Sequence, residues 1–362
     1  MARKATSNDV ARHAGVSRSA VSFVMNGRAD GNIAKDKQER ILAAAKALNY
    51  TPNAVARSLQ SQRTHTIGVV TDSIAGGPFA GKLLQGASTT AFRAGYLLLV
   101  IDTQQDSARA DSAVSTLVNR QVDALMFATM SLREHTQPPV HSEIPVVLAN
   151  SFDPQGKLRS IIPDEVSGGR AAAKILIDAG HRRIAYLAGT NELVATERRT
   201  QGFLAAMTDA GIEPTAIVPT GWETNAGFAA TLRLLSTSNG EVRPERPSGI
   251  VCANDRVALG AMLACGQLGL RVPRDVSLVG YDDDEPLART TVPGLTTVAL
   301  PHREMGEQAA ALLLEDLARA SAGSPETPDA GHAAAVDDAS QVAPLLLPCP
   351  VVTRGSVAAP LF

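Results

Sequence analysis

Residues 9–26 read D-V-A-R-H-A-G-V-S-R-S-A-V-S-F-V-M-N, two short helical patterns that meet at Gly15. No other stretch limits the fold as much, because so short a turn leaves two helices few ways to pack. Thr6 or Ser7 can cap the first helix by accepting a backbone N–H, and Asp9 suits its first turn. Val10, Ala11 and Ala14 follow at helical spacing. Gly15 supplies the left-handed turn that ends this helix, and Ser17 caps the next. In the second helix Val21 and Val24 face inward, which leaves Arg18, Ser19, Ser22 and Phe23 on the open side. Such a pair is either a plain helical hairpin with a solvated face or a helix-turn-helix unit, whose second helix enters the DNA major groove.

Charge separates these alternatives. The chain of 362 residues carries 34 Lys+Arg and 36 Asp+Glu, a net of −2. Residues 1–66 hold 11 of the cations and 4 of the acids, a net of +7, and the remainder has 23 against 32, a net of −9. A basic head on an acidic body suits a chain in which one segment meets phosphates and the rest does not.

A third helix is expected over 35–48, with Ile41, Leu42, Ala45 and Leu48 on one face, closing a three-helix headpiece over residues 1–50. Pro52 breaks it. Asn53 then caps a very short helical pattern over 54–60, too brief to persist alone in water. From residue 67 short apolar runs (67–70, 97–101, 124–127, 146–149, 184–188, 249–252 and 277–280) alternate with amphipathic helices (82–94, 108–120, 168–179, 198–210, 225–235 and 258–268). That alternation predicts an α/β body with parallel sheets covered on both faces. About ten strands exceed one ordinary α/β unit, so two similar lobes with a cleft between them are expected. Residues 236–247 and 320–343 lack periodicity and read as surface loops, the second as a disordered insert.

Several function classes are set aside by the same reading. The chain shows no apolar signal region or membrane-length apolar run, which predicts a cytoplasmic protein without membrane contact. Cys252, Cys265 and Cys349 fit neither a disulfide framework nor a metal site, and read as buried thiols. Gly76-Gly77 after the first strand is a poor phosphate loop, and no P-loop, GxGxxG or GxSxG motif occurs there. His181 has no evident acid or nucleophile partner. Neither an enzyme nor a cofactor or metal is expected.

The order of DVARHAGVSRSAVSFVMN, LNYTPNAVARSLQ, TIGVV, CANDRVALGAM, VSLVGYDDDE and PGLTTV closely resembles the LacI/GalR family of bacterial transcription regulators. The resemblance spans nearly the whole chain and implies a helix-turn-helix headpiece plus hinge helix, followed by a two-lobed periplasmic-binding-protein-like domain. The hinge and linker would occupy 51–65 and the effector and dimerisation domain 66–356. Lobe 1 is expected over about 66–163 and 294–320, and lobe 2 over about 164–293 and 344–356.

By this resemblance Arg18, Ser19 and Phe23 take the base-reading positions. Arg18 suits guanine O6/N7 and Phe23 a thymine methyl. Thr6, Ser17, Ser22 and Asn26 take phosphate positions, which set register without reading sequence. Asn53, Ala56 and Leu59 belong to the hinge, with Leu59 the wedge in the minor groove and Ala56 allowing close approach. Phe79, Asn150, Arg199, Trp222, Asn254 and Asp282 are expected around the effector, with Asp255 and Asp283 behind the cleft or on the surface. These residue types suit a polyhydroxylated ligand. Where the family often has a second aromatic after Phe79, this chain has Ala80, which favours a sugar over a stacked purine. Ala34 stands where a capping Ser or Thr is usual.

The implied function is a repressor that binds a pseudo-palindromic double-stranded DNA operator as a homodimer, its affinity set by a small-molecule effector. The alternative is a solute-binding protein of a transport system, which shares the two-lobed body but not the basic head. The tail after 357 shows no heptad pattern, so a dimer rather than a tetramer is expected.

Overall fold

The computed structural model describes residues 5–27, 29–51, 58, 63–73, 80–135, 144–190, 193–322 and 342–361. Asn53, Ala56, Leu59 and Phe79, and residues 323–341 of the expected 320–343 insert, lie outside the described residues. The chain divides into two compact units, Met1–His65 and Thr66–Phe362.

In the first unit α1 (Ser7–Ala14), α2 (Arg18–Met25) and α3 (Lys35–Ala47) enclose a small core. Thr6 is the residue that caps α1. The Asp9 N–H lies 3.4 Å from its hydroxyl oxygen, and the Thr6 N–H donates back to the Asp9 carboxylate at 2.9 Å. Gly15, at φ +64°, turns the chain out of α1, a conformation glycine adopts without the steric cost of a side chain. Ser17 caps α2, accepting from the Ala20 N–H at 3.2 Å. Val10, Val21, Val24, Ile41, Ala44 and Ala45 form the core. The Arg40 guanidinium donates to the last carbonyl of α1, on Ala14, and so ties α3 to the turn. Leu42 departs from expectation: it is 53% exposed, while Ala44 takes the inward place. Ile41, Ala44, Ala45 and Leu48 keep the 3–4 spacing of one helix face, and Leu42 stands about 100° round from Ile41.

The second unit holds two six-stranded sheets. The first contains β1 (Thr66–Thr71), β2 (Leu97–Asp102), β3 (Ala124–Glu134), β4 (Val146–Phe152) and β5 (Arg159–Pro163). The second contains β6 (Ile184–Ala188), β7 (Ala216–Pro219), β8 (Gly249–Cys252), β9 (Ser277–Asp282) and β10 (Thr296–Ala299). Short strands β11 (Leu345–Leu347) and β12 (Val351–Val352) complete the respective edges, giving orders β11-β5-β4-β3-β1-β2 and β12-β10-β9-β8-β6-β7. All pairings are parallel except β10 with β12.

Helices cover both faces of each sheet. On the first, α4 (Ala80–Arg93) and α11 (His302–Ala322) share one core, and α5 (Ser107–Asn119) packs opposite. On the second, α6 (Glu165–Asp178) and α7 (Val194–Asp209) lie on one face. There α8 (Thr224–Leu235), α9 (Asp255–Gln267) and the short α10 (Glu285–Thr290) lie on the other. Burial on both faces explains why the central strands read as continuous apolar runs.

Two expected lobe boundaries need correction. Residues 296–299, assigned by sequence to lobe 1, form β10 beside β9, with Thr296 opposite Val279. Residues 345–347, assigned to lobe 2, form β11 beside β5, with Leu345 opposite Ile161. The chain therefore crosses between the sheets after β5, after β10 and after β11. Short edge segments carry too few residues for periodicity to reveal which sheet they join. Loop 236–247 is irregular as expected, apart from an isolated bridge between Ser236 and Val242. All three cysteines are buried and unpaired.

Candidate functional site

On α2 the side chains of Arg18, Ser19 and Phe23 are exposed, Phe23 by 40% despite its large apolar surface. Ser22 and Asn26 continue the same face, with the Asn26 amide donating to the Ser22 hydroxyl at 3.2 Å. Ser17 and Ser19 hydroxyls lie 2.9 Å apart at the start of the helix. Thr6 is less available than the sequence implied, because its hydroxyl donates to Asp9 at 2.7 Å within the cap.

In the second unit, the carboxyl ends of strands together with the loops and helix starts beyond them form a small cavity of about 90 Å³ lined by side chains of both lobes. Asn150, Arg199, Trp222, Asn254 and Asp282 all line it, as do Glu165, His302 and Leu132. Arg199, at 4% exposure, is brought there by close packing of α6 against α7. A Cβ on Gly169 would fall 2.1 Å from the Arg199 carbonyl oxygen, and one on Gly202 would fall 1.9 Å from that of Val166. Only glycine at both positions lets the helix backbones meet this closely. Gly168 clears a third space, since a Cβ there would lie 1.9 Å from the Tyr281 hydroxyl.

That packing assembles a buried ionic network. Glu165, 2% exposed at the start of α6, accepts from the Arg199 Nε at 2.7 Å and Nη2 at 2.9 Å. The Tyr281 hydroxyl donates to the same carboxylate at 2.7 Å, and the guanidinium lies 3.7 Å from the centre of the Tyr281 ring. Arg199 Nη1 donates to the Ala253 carbonyl at 2.7 Å, and Nη2 reaches Asp282 at 3.5 Å. Burial alone would lower the Arg199 pKa, but the Glu165 and Asp282 carboxylates outweigh it and hold the cation firmly. For Asp282 burial dominates and pushes its carboxyl up to about 7, against the pull of Arg199. His302 is driven down to about 3 by burial, with Lys82 and Arg199 adding to the effect, so its imidazole is neutral.

The other expected residues also hold structural posts. Asn150, at φ +58°, donates through its amide to the carbonyls of Thr129 at 2.9 Å and Met130 at 3.2 Å. It thereby fastens the register slip between β3 and β4. Asn254 caps α9, accepting from the Val257 N–H at 2.8 Å, and donates to the Trp222 carbonyl at 3.1 Å. The half-buried Trp222 ring lies against Gly189, where a Cβ would fall 2.3 Å from the indole. Asp255 and Asp283 are both buried behind the cleft. Asp255 accepts from the Thr297 hydroxyl and the Asp284 N–H, each at 2.7 Å, and Asp283 accepts from Arg354 at 2.7 Å. His181 is structural, with Ser248 at 2.8 Å and the Ala358 carbonyl at 2.9 Å on its two ring nitrogens.

The cleft is shut at one side by Leu132 and Ile162 of lobe 1 against Ala195 of α7. The Arg198 guanidinium lies 4.9 Å from the centre of the Phe152 ring beside them. Glu165, Tyr281 and His302 were not foreseen from sequence. An acid in a first helical turn reads as a surface residue favoured by the helix dipole, and nothing local announces its arginine partner. No group of three or more His, Cys, Asp or Glu suited to a metal occurs among the described residues, and none of their helices is long and apolar enough to cross a membrane.

A helix-turn-helix unit carried in one chain with a two-lobed binding domain defines a class: a DNA-binding regulator that answers to a small molecule. Residues 6–53 match the model of the bacterial regulatory proteins of the lacI family, and residues 173–357 match that of the periplasmic binding protein-like domain. The HTH-type transcriptional repressor PurR of Vibrio vulnificus is 36% identical over 314 residues, 86% of this chain and 91% of that protein. The ribose operon repressor of Escherichia coli K12 is also 36% identical over 314 residues, 86% of this chain and 92% of its own length. Among solved structures, the lac repressor dimer bound to operator and the anti-inducer ONPF matches at a TM-score of 0.76 with 29% identity. It covers 99% of this chain and 100% of that one. The chain belongs to the lacI family of bacterial regulatory proteins. It is a DNA-binding transcriptional repressor under small-molecule control, and its relatives are repressors rather than enzymes.

Proposed function

We propose that this repressor grips a pseudo-palindromic operator as a homodimer in the cytoplasm, and that a sugar held around Arg199 and Asp282 sets its affinity. One observation carries the reading: Asn150 of lobe 1 and Arg199, Trp222, Asn254 and Asp282 of lobe 2 line a single cavity. Asp282 accepts from sugar hydroxyls, the Asn150 carbonyl accepts another, and Trp222 offers an apolar plane to C–H groups. Phe79, outside the described residues, is assigned to the same ligand.

At about 90 Å³ the cavity is far below the roughly 300 Å³ at which ligand pockets begin, so the lobes part to admit the sugar and close over it. A ligand that binds one lobe arrangement better shifts the population toward it. That shift reaches DNA through residues 51–65, where Asn53, Ala56 and Leu59 are assigned to the paired hinge. On the operator, Arg18, Ser19 and Phe23 read base edges in each half-site. Ser17, Ser22 and Asn26 fix register on phosphates, together with Thr6 if its cap opens.

The test is a shift of a palindromic fragment from the protein's own upstream region. Arg18→Ala should abolish preference for that fragment over random DNA, and Leu59→Ala should weaken binding strongly. Wild-type affinity in both variants would refute the assignment.

A further inference from the structure

Resting on the reading of this cleft as the effector site, we propose that Glu165 sets the charge class of the effector, admitting uncharged polyols and rejecting anions such as sugar phosphates and sugar acids. An anion needs cations to greet it. Among the described residues lining the cavity these are Arg199 and Arg256. Glu165 takes two of the five N–H groups of Arg199 in a fork geometry, and the Ala253 carbonyl and Asp282 take two more. The guanidinium is thus left with one N–H for a ligand, enough for a hydroxyl but not for the paired recognition that phosphate or carboxylate takes from arginine. Arg256, at the edge, is paired with the exposed Glu223 at 3.0 Å, and its Nε makes no hydrogen bond, so it is the weaker of the two attractions an anion meets.

The remaining charges make the exclusion stronger. Glu165 is ion-paired with Arg199, so an incoming anion meets a carboxylate beside one spoken-for cation, and Asp282, raised to about 7, adds part of a second negative charge. The buried His302 imidazole is neutral and adds no positive charge. Glu165 is buried, and beside so buried a carboxylate an anion is screened less than in open water. The carboxylate cannot swing aside. It is 2% exposed, accepts three hydrogen bonds, and its place is fixed by the glycine contacts at 168, 169 and 202. Glu165 therefore does more than brace Arg199: it decides what may sit beside it.

The test uses the full-length protein and the fluorescence of Trp222, the one tryptophan in the chain. Wild type and Glu165→Gln are titrated with D-ribose, D-galactose and cellobiose, then with ribose 5-phosphate, gluconate and inorganic phosphate. Wild type should ignore every anion. Glu165→Gln, which keeps the shape and removes the charge, should bind at least one anion about tenfold tighter or better, the scale of one relieved like-charge contact. If Glu165→Gln fails to fold, the wild-type titrations still decide, because binding of any one of these anions refutes the gate. Saturable binding of an anion by wild type would overturn the proposal, as would a folded variant that gains none. If the variant gains phosphate while no neutral sugar acts on either protein, the charge gate stands and the sugar reading falls.

Discussion

Replacing Gly169 with alanine sets two physical effects against each other with opposite signs. In an uncrowded helix interior, glycine to alanine stabilises by about 0.5–1 kcal/mol, because glycine has more backbone freedom to lose. At Gly169 the new methyl would stand 2.1 Å from the Arg199 carbonyl oxygen and 2.8 Å from its carbonyl carbon and Cα. These atoms are backbone and cannot rotate away, so α6 and α7 must separate by more than an ångström. Overpacking of this kind costs about 1–3 kcal/mol, which leaves a net loss centred on about 1 kcal/mol and reaching about 2.5 kcal/mol. Gly266 in α9 is the internal control, since a Cβ there meets nothing within 4 Å. Urea unfolding followed by Trp222 fluorescence should show a lower midpoint for Gly169→Ala and an equal or higher one for Gly266→Ala. Separation of the helices also pulls Glu165 from Arg199, so Gly169→Ala should bind its effector more weakly. A Gly169→Ala protein more stable than wild type would show that propensity, not close packing, governs this helix pair.

Two further outcomes follow from the same geometry. Phe152→Leu removes the ring under Arg198 at the side of the cleft; a cation–π contact of about 0.5–1 kcal/mol predicts effector release about two- to fivefold faster by stopped-flow fluorescence, and an unchanged rate would count against the clasp. Burial, with Asp282 adding to it, raises the Asp255 carboxyl to about 8. The native state thus keeps a proton that the unfolded chain gives up in the ordinary carboxylate range. That contribution to stability is complete below the unfolded pKa and is lost as pH rises through the native one. Asp255→Asn should flatten the decline in stability between about pH 6 and 8, leaving the smaller share from Asp282, whereas an unaltered slope would contradict the assignment.

What the sequence disclosed, and what it hid, divides along the range of the interactions. Thr6, Gly15 and Ser17 act on backbone within three or four residues, and their roles were legible. The seven apolar runs all proved to be strands, most of them buried on both faces, although β2 lies at a sheet edge with Leu97 63% exposed. By contrast β10, β11 and β12 span four residues or fewer, and only pairing with distant strands decides where they belong. Gly168-Gly169 looks like a weakness in a helix until Tyr281 and Arg199 are set against it. Glu165 is the clearest case: its partners stand 34 and 116 residues away. Asn150 and Asn254 were found by motif, but their hydrogen bonds to strand ends and to Trp222 depend on contacts no local pattern contains.

In the proposed mechanism, occupancy of the cleft at Arg199 and Asp282 is coupled to DNA binding, and linkage makes that measurable. Titrate the sugar that changes Trp222 fluorescence into protein bound to its own palindromic upstream fragment, and record fluorescence and DNA anisotropy together. Coupling requires DNA and sugar to alter each other's affinity by the same factor, typically about 5- to 150-fold, with Asp282→Ala abolishing both responses. Sugar binding that saturates the tryptophan signal and leaves DNA affinity unmoved would contradict the account.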